Sequence, residues 1–284
     1  MIKVKGLSHS YTNDNKLAVE DISFEIKKGE IFGFLGPSGA GKSTTQGILT
    51  GLLKKQTGTV TVGGYDVSKL EKEMFNQIGV SFEQSNVYSK LTAKENLEFY
   101  AKLFDGETKD PMELLELVGL DGKENDRAGS FSKGMKHRLT FARSMINNPI
   151  IWFLDEPTTG LDPAIASKIK KIIREEQKKK TTIFLTTHNM FIAEELCDRV
   201  AFIVDGTIKV IDTPKNLKTK YGEKRAIIEY LEQGKIETKE FGTNTQKDKK
   251  ALASFIEKNE IQTIHTKEAT LEEIFIKVTG KELV

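Results

Sequence analysis

Gly36-Pro37-Ser38-Gly39-Ala40-Gly41-Lys42-Ser43, followed by Thr44, decides the fold. Its glycines let backbone N–H groups turn inward toward an anion, and a helix that starts at Lys42 adds its positive N-terminal end. Ile31-Phe32-Gly33-Phe34-Leu35 comes just before, an apolar run with the length of a strand buried inside a parallel sheet. Helix signals follow from Lys42 to about Leu53. In a strand, loop and helix of this kind Lys42 bridges the β- and γ-phosphates of a nucleotide and Ser43 ligates Mg²⁺.

A second element, Ile150-Ile151-Trp152-Phe153-Leu154-Asp155-Glu156, is an apolar strand that ends in two carboxylates. Strand ends at the edge of a parallel sheet are where such folds bind ligands. Asp155 is placed to hold Mg²⁺, directly or through water, and Glu156 to orient or deprotonate an attacking water.

The intervening pattern supports an α/β fold. Ile22, Phe24 and Ile26 alternate with Ser23, Glu25 and Lys27, a half-buried strand within a β-rich start. Thr59 to Val62 and Ile78 to Phe82 read as further strands. From about residue 85 to 147 the pattern is helical, with a capping box at Thr92 and Glu95 and a proline start at Asp110-Pro111. Within it Phe99, Tyr100 and Phe104 read as core residues of a helix. Strands at Ile150 to Leu154, Ile183 to Thr186 and Ala201 to Val204 alternate with helices, which implies a parallel sheet covered on both faces. A division is expected at 219/220. Residues 220–284 then form a small α/β appendage, with a strand from Arg225, a loop or hairpin over 234–250 and two helix faces.

Composition sets bounds. Hydrophobic residues at 38% and charged ones at 30% describe a soluble globular chain, and a net charge of +2 offers no electrostatic case for a nucleic-acid partner. The most apolar run, Ile150 to Leu154, is far short of the ~20 residues of a membrane helix. Met1 to Lys5 lacks a signal peptide's apolar stretch, and the single cysteine, Cys197, has no internal disulfide partner, so a cytoplasmic location is expected. Cys197 reads as a small core residue, and His9, His137 and His265 as surface or packing residues.

Several further motifs carry a resemblance. Phe131-Ser132-Lys133-Gly134-Met135 stands where the ABC ATPase superfamily carries its signature sequence, and Asp155 to Pro163 looks like the family's Walker B strand end, catalytic glutamate and D-loop in one run. Thr186-Thr187-His188 is similar to its H-loop, and Tyr11 sits where the family places an adenine-stacking aromatic. The resemblance covers residues from about 2 to 215. It implies a P-loop core with a parallel-sheet part, an N-terminal antiparallel β part and a helical subdomain. It implies ATP and Mg²⁺ as ligands, and His188 in contact with the γ-phosphate while it helps hold Glu156. It also implies a dimer, of identical or related subunits, in which Ser132 and Gly134 meet the nucleotide of the opposite subunit and Asp162 crosses the interface.

Two departures qualify the match. Of the usual Leu-Ser-Gly-Gly-Gln, only Ser132 and Gly134 are kept, and Glu83, with Gln84 beside it, occupies the Q-loop position. Both resemble the branch that energises bacterial drug, antibiotic and ion exporters of the two-gene type, as does the tail Leu271 to Gly280. That branch implies an ATP-hydrolysing subunit on the inner face of the cell membrane with a separate transmembrane permease, which is expected to dock in the groove beside Glu83–Tyr88 and the helical segment. The alternative is a soluble ABC ATPase acting on ribosomes or DNA. Such chains usually carry two motif sets or long coiled coils, and this one has a single set and no heptad run.

Overall fold

Strands β1 (Ile2–Ser10) and β2 (Leu17–Ile26) form an antiparallel ladder in which Ile22, Phe24 and Ile26 turn inward, as their alternation predicts. The computed structural model describes residues 1–11 and 16–282. After β3 (Ile31–Leu35) and helix α1 (Lys42–Leu49), β4 (Thr59–Val62) pairs with β1 and with the short β5 (Tyr65–Asp66), closing a sheet of order β2-β1-β4-β5.

The second sheet contains β3, every residue of which is buried. A short helix α2 (Lys72–Gln77) leads into β6 (Ile78–Ser81), and β7 (Ile151–Asp155), β8 (Thr182–Thr187), β9 (Arg199–Val204) and β10 (Thr207–Asp212) complete the order β10-β9-β3-β8-β7-β6. The pairings from β6 through β9 are all parallel. Helices α6 (Pro163–Lys178) and α7 (Met190–Leu196) connect the later strands. The two sheets meet over aromatic rings. Phe24 of β2 stacks on Phe32 and tilts against Phe34, each at 5.5 Å, while Phe184 of β8 joins the same cluster.

Between β6 and β7 lie α3 (Ala93–Ala101), α4 (Pro111–Leu117) and α5 (Lys133–Arg143). The predicted caps form: Thr92 and Glu95 make a reciprocal capping box, and Asp110 accepts from the Met112 amide. The buried Trp152 of β7 ties this segment to the sheet, with its indole N–H donating to Ser144 Oγ at 2.8 Å and its ring 4.9 Å from Phe141. Tyr100 lies under the Arg143 guanidinium at 4.3 Å. Phe99 corrects the sequence reading: it is exposed and set edge-on to Tyr88 at 5.1 Å. Cys197 is buried against Gly33, where a Cβ would come within 2.7 Å of its Sγ, and burial pushes its thiol pKa up.

Contacts divide the chain into Met1–Ile211 and a unit that begins at Asp212. The boundary falls before the expected 219/220 because α8 (Pro214–Tyr221) packs against α10 (Leu271–Thr279). The second unit is built on β11 (Arg225–Glu232), β12 (Lys235–Gly242) and β13 (Glu260–Lys267), in the antiparallel order β12-β11-β13. The β11–β12 hairpin turns on Gln233 and Gly234, both at positive φ, as a tight two-residue turn requires. Helix α9 (Gln246–Lys258) lays Phe255 against Tyr230 and Phe241. Among the described residues no helix is long and apolar enough to cross a membrane.

Candidate functional site

The glycine loop is clamped between two strands. A Cβ on Gly36 would lie 2.1 Å from the Ile203 carbonyl of β9, so only glycine fits there. Gly41, at φ 106°, is the residue before α1, and its Cβ would strike the Ala18 carbonyl of β2 at 2.6 Å. No side chain caps the N-terminus of α1, which leaves its first amides to an external acceptor. Lys42 curls over the loop and donates to the Gly36 and Pro37 carbonyls at 2.7 and 2.9 Å. Pro37 is half-buried and Ser38 and Gly39 are exposed, while Ala40 and Thr44 pack inward. The Tyr11 hydroxyl lies 3.1 Å from Thr44 Oγ1 and its ring is largely exposed beside the loop.

Parallel strands bring the acidic pair to the same edge. β7 ends at Asp155, which is registered with Thr186 of β8, and β8 neighbours β3. Glu156 is 5% exposed and densely held. Its Oε2 accepts from Thr187 Oγ1 at 2.9 Å and Thr159 Oγ1 at 3.1 Å, and its Oε1 accepts from the His188 amide at 2.8 Å. His188 Nδ1 lies 2.6 Å from that same Oε1. A carboxylate only accepts, so this contact sets the imidazole as the Nδ1–H tautomer and leaves Nε2 as an acceptor.

The electrostatics call for a cation and an anion. Burial raises the Asp155 pKa, the Thr186 hydrogen bond opposes that, and Glu156 and Glu83 add to the rise. Burial lowers the pKa of the Lys42 ammonium, while Glu156, Asp155 and Glu83 pull it back up. Ser43, Glu83, Gln84 and Asp155 line one cavity of about 500 Å³ with Leu52 and Phe82. Oxygen donors beside mutually repelling carboxylates fit Mg²⁺. Among the described residues no three His, Cys, Asp or Glu side chains converge on a metal position. Mg²⁺ itself takes one or two protein oxygens and completes its shell with phosphates and water.

The structure thus brings together Tyr11, the glycine loop, Lys42, Ser43, Glu83, Gln84, Asp155, Glu156 and His188. It does not bring Ser132, Gly134 or Asp162 to them. Ser132 caps α5 through the Met135 amide, Gly134 faces Leu161 and Gly160, and Asp162 caps α6 through the Ile165 amide. Among the described residues no hydrogen bond or ion pair joins these three to the glycine loop. Sequence reasoning missed the polar support: half-buried Thr159 and buried Thr187, Thr186 and Gln46. His137, read as a surface or packing residue, is buried on α5, and burial lowers its pKa.

A glycine loop, two carboxylates and a histidine at adjacent parallel strand ends define a P-loop nucleotide hydrolase. A family profile described as ABC transporter matches residues 19–159. The fluoroquinolones export ATP-binding protein of Mycobacterium tuberculosis (strain CDC 1551 / Oshkosh) is 49% identical over 284 residues, covering 100% of this chain and 94% of that protein. The linearmycin resistance ATP-binding protein of Bacillus subtilis (strain 168) is 37% identical over 226 residues, 78% of this chain and 72% of that one. Among solved structures, a dimeric post-hydrolysis state of an ATP-binding cassette bound to ADP and Pi superposes with a TM-score of 0.69 at 28% identity, covering 75% of this chain and 98% of the other. The chain belongs to the ATP-binding proteins of the ABC transporter family, and its reaction is ATP hydrolysis.

Proposed function

We propose that this chain is the ATP-hydrolysing subunit of an exporter, held on the cytoplasmic face of the cell membrane by a separate transmembrane permease. The names of the two relatives, which refer to fluoroquinolone export and linearmycin resistance, support export of a drug-like molecule. The dimeric form of the similar cassette supports pairing of two ATP-binding subunits. The observation that carries the catalytic reading is the buried Glu156 carboxylate, held by Thr159, Thr187 and His188 at a strand end beside Asp155.

In this reading the triphosphate lies on residues 36–44 with its adenine against Tyr11. Lys42 leaves the Gly36 and Pro37 carbonyls to meet the β- and γ-phosphates. Ser43 and Asp155, with Glu83 alongside, would hold Mg²⁺, which supplies neutralising charge to the phosphate oxygens when bound. Glu156 orients the attacking water and accepts its proton. His188, with Nδ1–H tied to Glu156, keeps that carboxylate aimed, and its ring faces the γ-phosphate side. A second subunit presents Ser132 and Gly134 from the start of its α5, with Asp162 at the seam. Positioning and charge neutralisation do most of the work, with little covalent chemistry for the protein.

The test is Glu156→Gln in the purified full chain. Loss of a general base predicts a fall in turnover of about 10²-fold or more. ATP binding should persist, and MgATP should trap a dimer visible by light scattering. Undiminished hydrolysis would remove Glu156 from its role, and an ATP-loaded monomer would remove the shared-site reading.

A further inference from the structure

Behind Asp155 lies a buried polar group to which the catalytic roles give no task. Gln46 of α1 is 2% exposed, and its side-chain Oε1 lies 3.2 Å from Thr186 Oγ1. Thr186, fully buried on β8, donates to Asp155 Oδ1 and also lies 3.3 Å from the Leu154 carbonyl. Gln46 Nε2 is buried with no hydrogen-bond partner.

A threonine hydroxyl has one proton to give, and a carboxylate is the strongest acceptor beside it. Once that proton is committed to Asp155, the Gln46 oxygen faces another oxygen that has nothing to donate. The oxygen and nitrogen of an amide fill nearly the same volume, so hydrogen bonding decides which end meets Thr186. Turning the amide over puts an N–H donor on Thr186 Oγ1. The buried atom left unpaired is then a carbonyl oxygen, a less costly orphan than an N–H. A hydroxyl that accepts a hydrogen bond also becomes a better donor, so the two bonds reinforce each other.

We propose that Gln46 is a positioning residue: its amide donates to Thr186, Thr186 donates to Asp155, and this relay fixes the carboxylate in the orientation used toward the metal. The inference rests on the reading of Asp155 as the magnesium-side carboxylate. Gln46→Met removes the amide at similar volume, and Thr186→Val removes the hydroxyl.

The probe is Mn²⁺, titrated by electron paramagnetic resonance into the ATP-loaded full chain, with ATP affinity measured separately in EDTA. Each variant should weaken Mn²⁺ binding on the order of tenfold, with metal-free ATP affinity held within about twofold. The double variant should be no weaker than Thr186→Val alone, because the residues act in series. Unchanged Mn²⁺ affinity in Gln46→Met, equal losses with and without metal, or fully additive losses would each overturn the proposal. Asp155→Asn separates the two readings. If it too leaves Mn²⁺ affinity intact, the assignment of Asp155 fails; if it abolishes binding while Gln46→Met leaves affinity unchanged, only the relay falls. Should a variant not fold, nuclear magnetic resonance of the wild type decides. Slowly exchanging Gln46 amide protons with a cross-peak to the Thr186 side chain support the relay, and their absence refutes it.

Discussion

Glu156 adopts φ 47°, a left-handed conformation that a non-glycine residue keeps only where its surroundings over-determine it. Here they do: its amide donates to the Thr186 carbonyl at 2.9 Å while its carboxylate is held by Thr159, Thr187 and His188. Asp155, next to it, has the opposite character, since burial and two nearby carboxylates favour its neutral form. A carboxyl whose folded-state pKa lies above its unfolded value contributes stability that is present below the unfolded value and lost as pH rises through the folded one. Asp155→Asn should therefore raise the melting temperature at pH 7 without nucleotide or metal, with the advantage shrinking toward pH 3. Melting curves across that range check it, and an unchanged or lower melting temperature at pH 7 would contradict the electrostatics described. The places of Lys42, Asp155, Glu156 and His188 were legible in the sequence: Lys42 follows a glycine loop, Asp155 ends a strand, and Glu156 and His188 each come directly after one. Gln46 and Thr186 were not, because a glutamine in a helix and a threonine in a strand are ordinary there. Their meaning comes from a contact spanning 140 positions.

At the scale of elements, the seam between β9 and the glycine loop is the tightest backbone approach around the site. Gly36→Ala would press a methyl group onto the Ile203 carbonyl, an atom that cannot swing aside. The expected loss is about 1–3 kcal/mol, the usual range for overpacking a core, read from the urea midpoint. A midpoint equal to wild type would mean that β9 yields freely. Elements with a strong local signature were readable, such as β3 from its unbroken apolar run and α3 and α4 from their caps. Helix α2 has six residues, too few to display a period. β13 reads Glu-Ile-Gln-Thr-Ile-His-Thr-Lys and is mostly exposed, so tertiary pairing with β11 makes it a strand where hydrophobic pattern could not.

For the whole first unit, the antiparallel and parallel sheets share one buried apolar cluster in which Phe24 is an aromatic junction. Phe24 contacts three rings of the parallel sheet, Phe32, Phe34 and Phe184, and is itself 7% exposed. Phe24→Ala should cost about 3–5 kcal/mol. Because the cluster joins Tyr11's sheet to the glycine loop's sheet, ATP binding should weaken as well. Calorimetric unfolding together with nucleotide titration tests this, and a loss under about 1 kcal/mol would show that the sheets are fastened elsewhere. The order of the parallel sheet has a separate consequence, for synthesis. β3 emerges early, yet its neighbours are residues 182–187 and 199–204. At ribosomal speeds of about 5–20 residues per second, that greasy strand waits on the order of ten to thirty seconds for its first neighbour. During that interval the nascent chain must be shielded by a chaperone or risk clumping with its siblings.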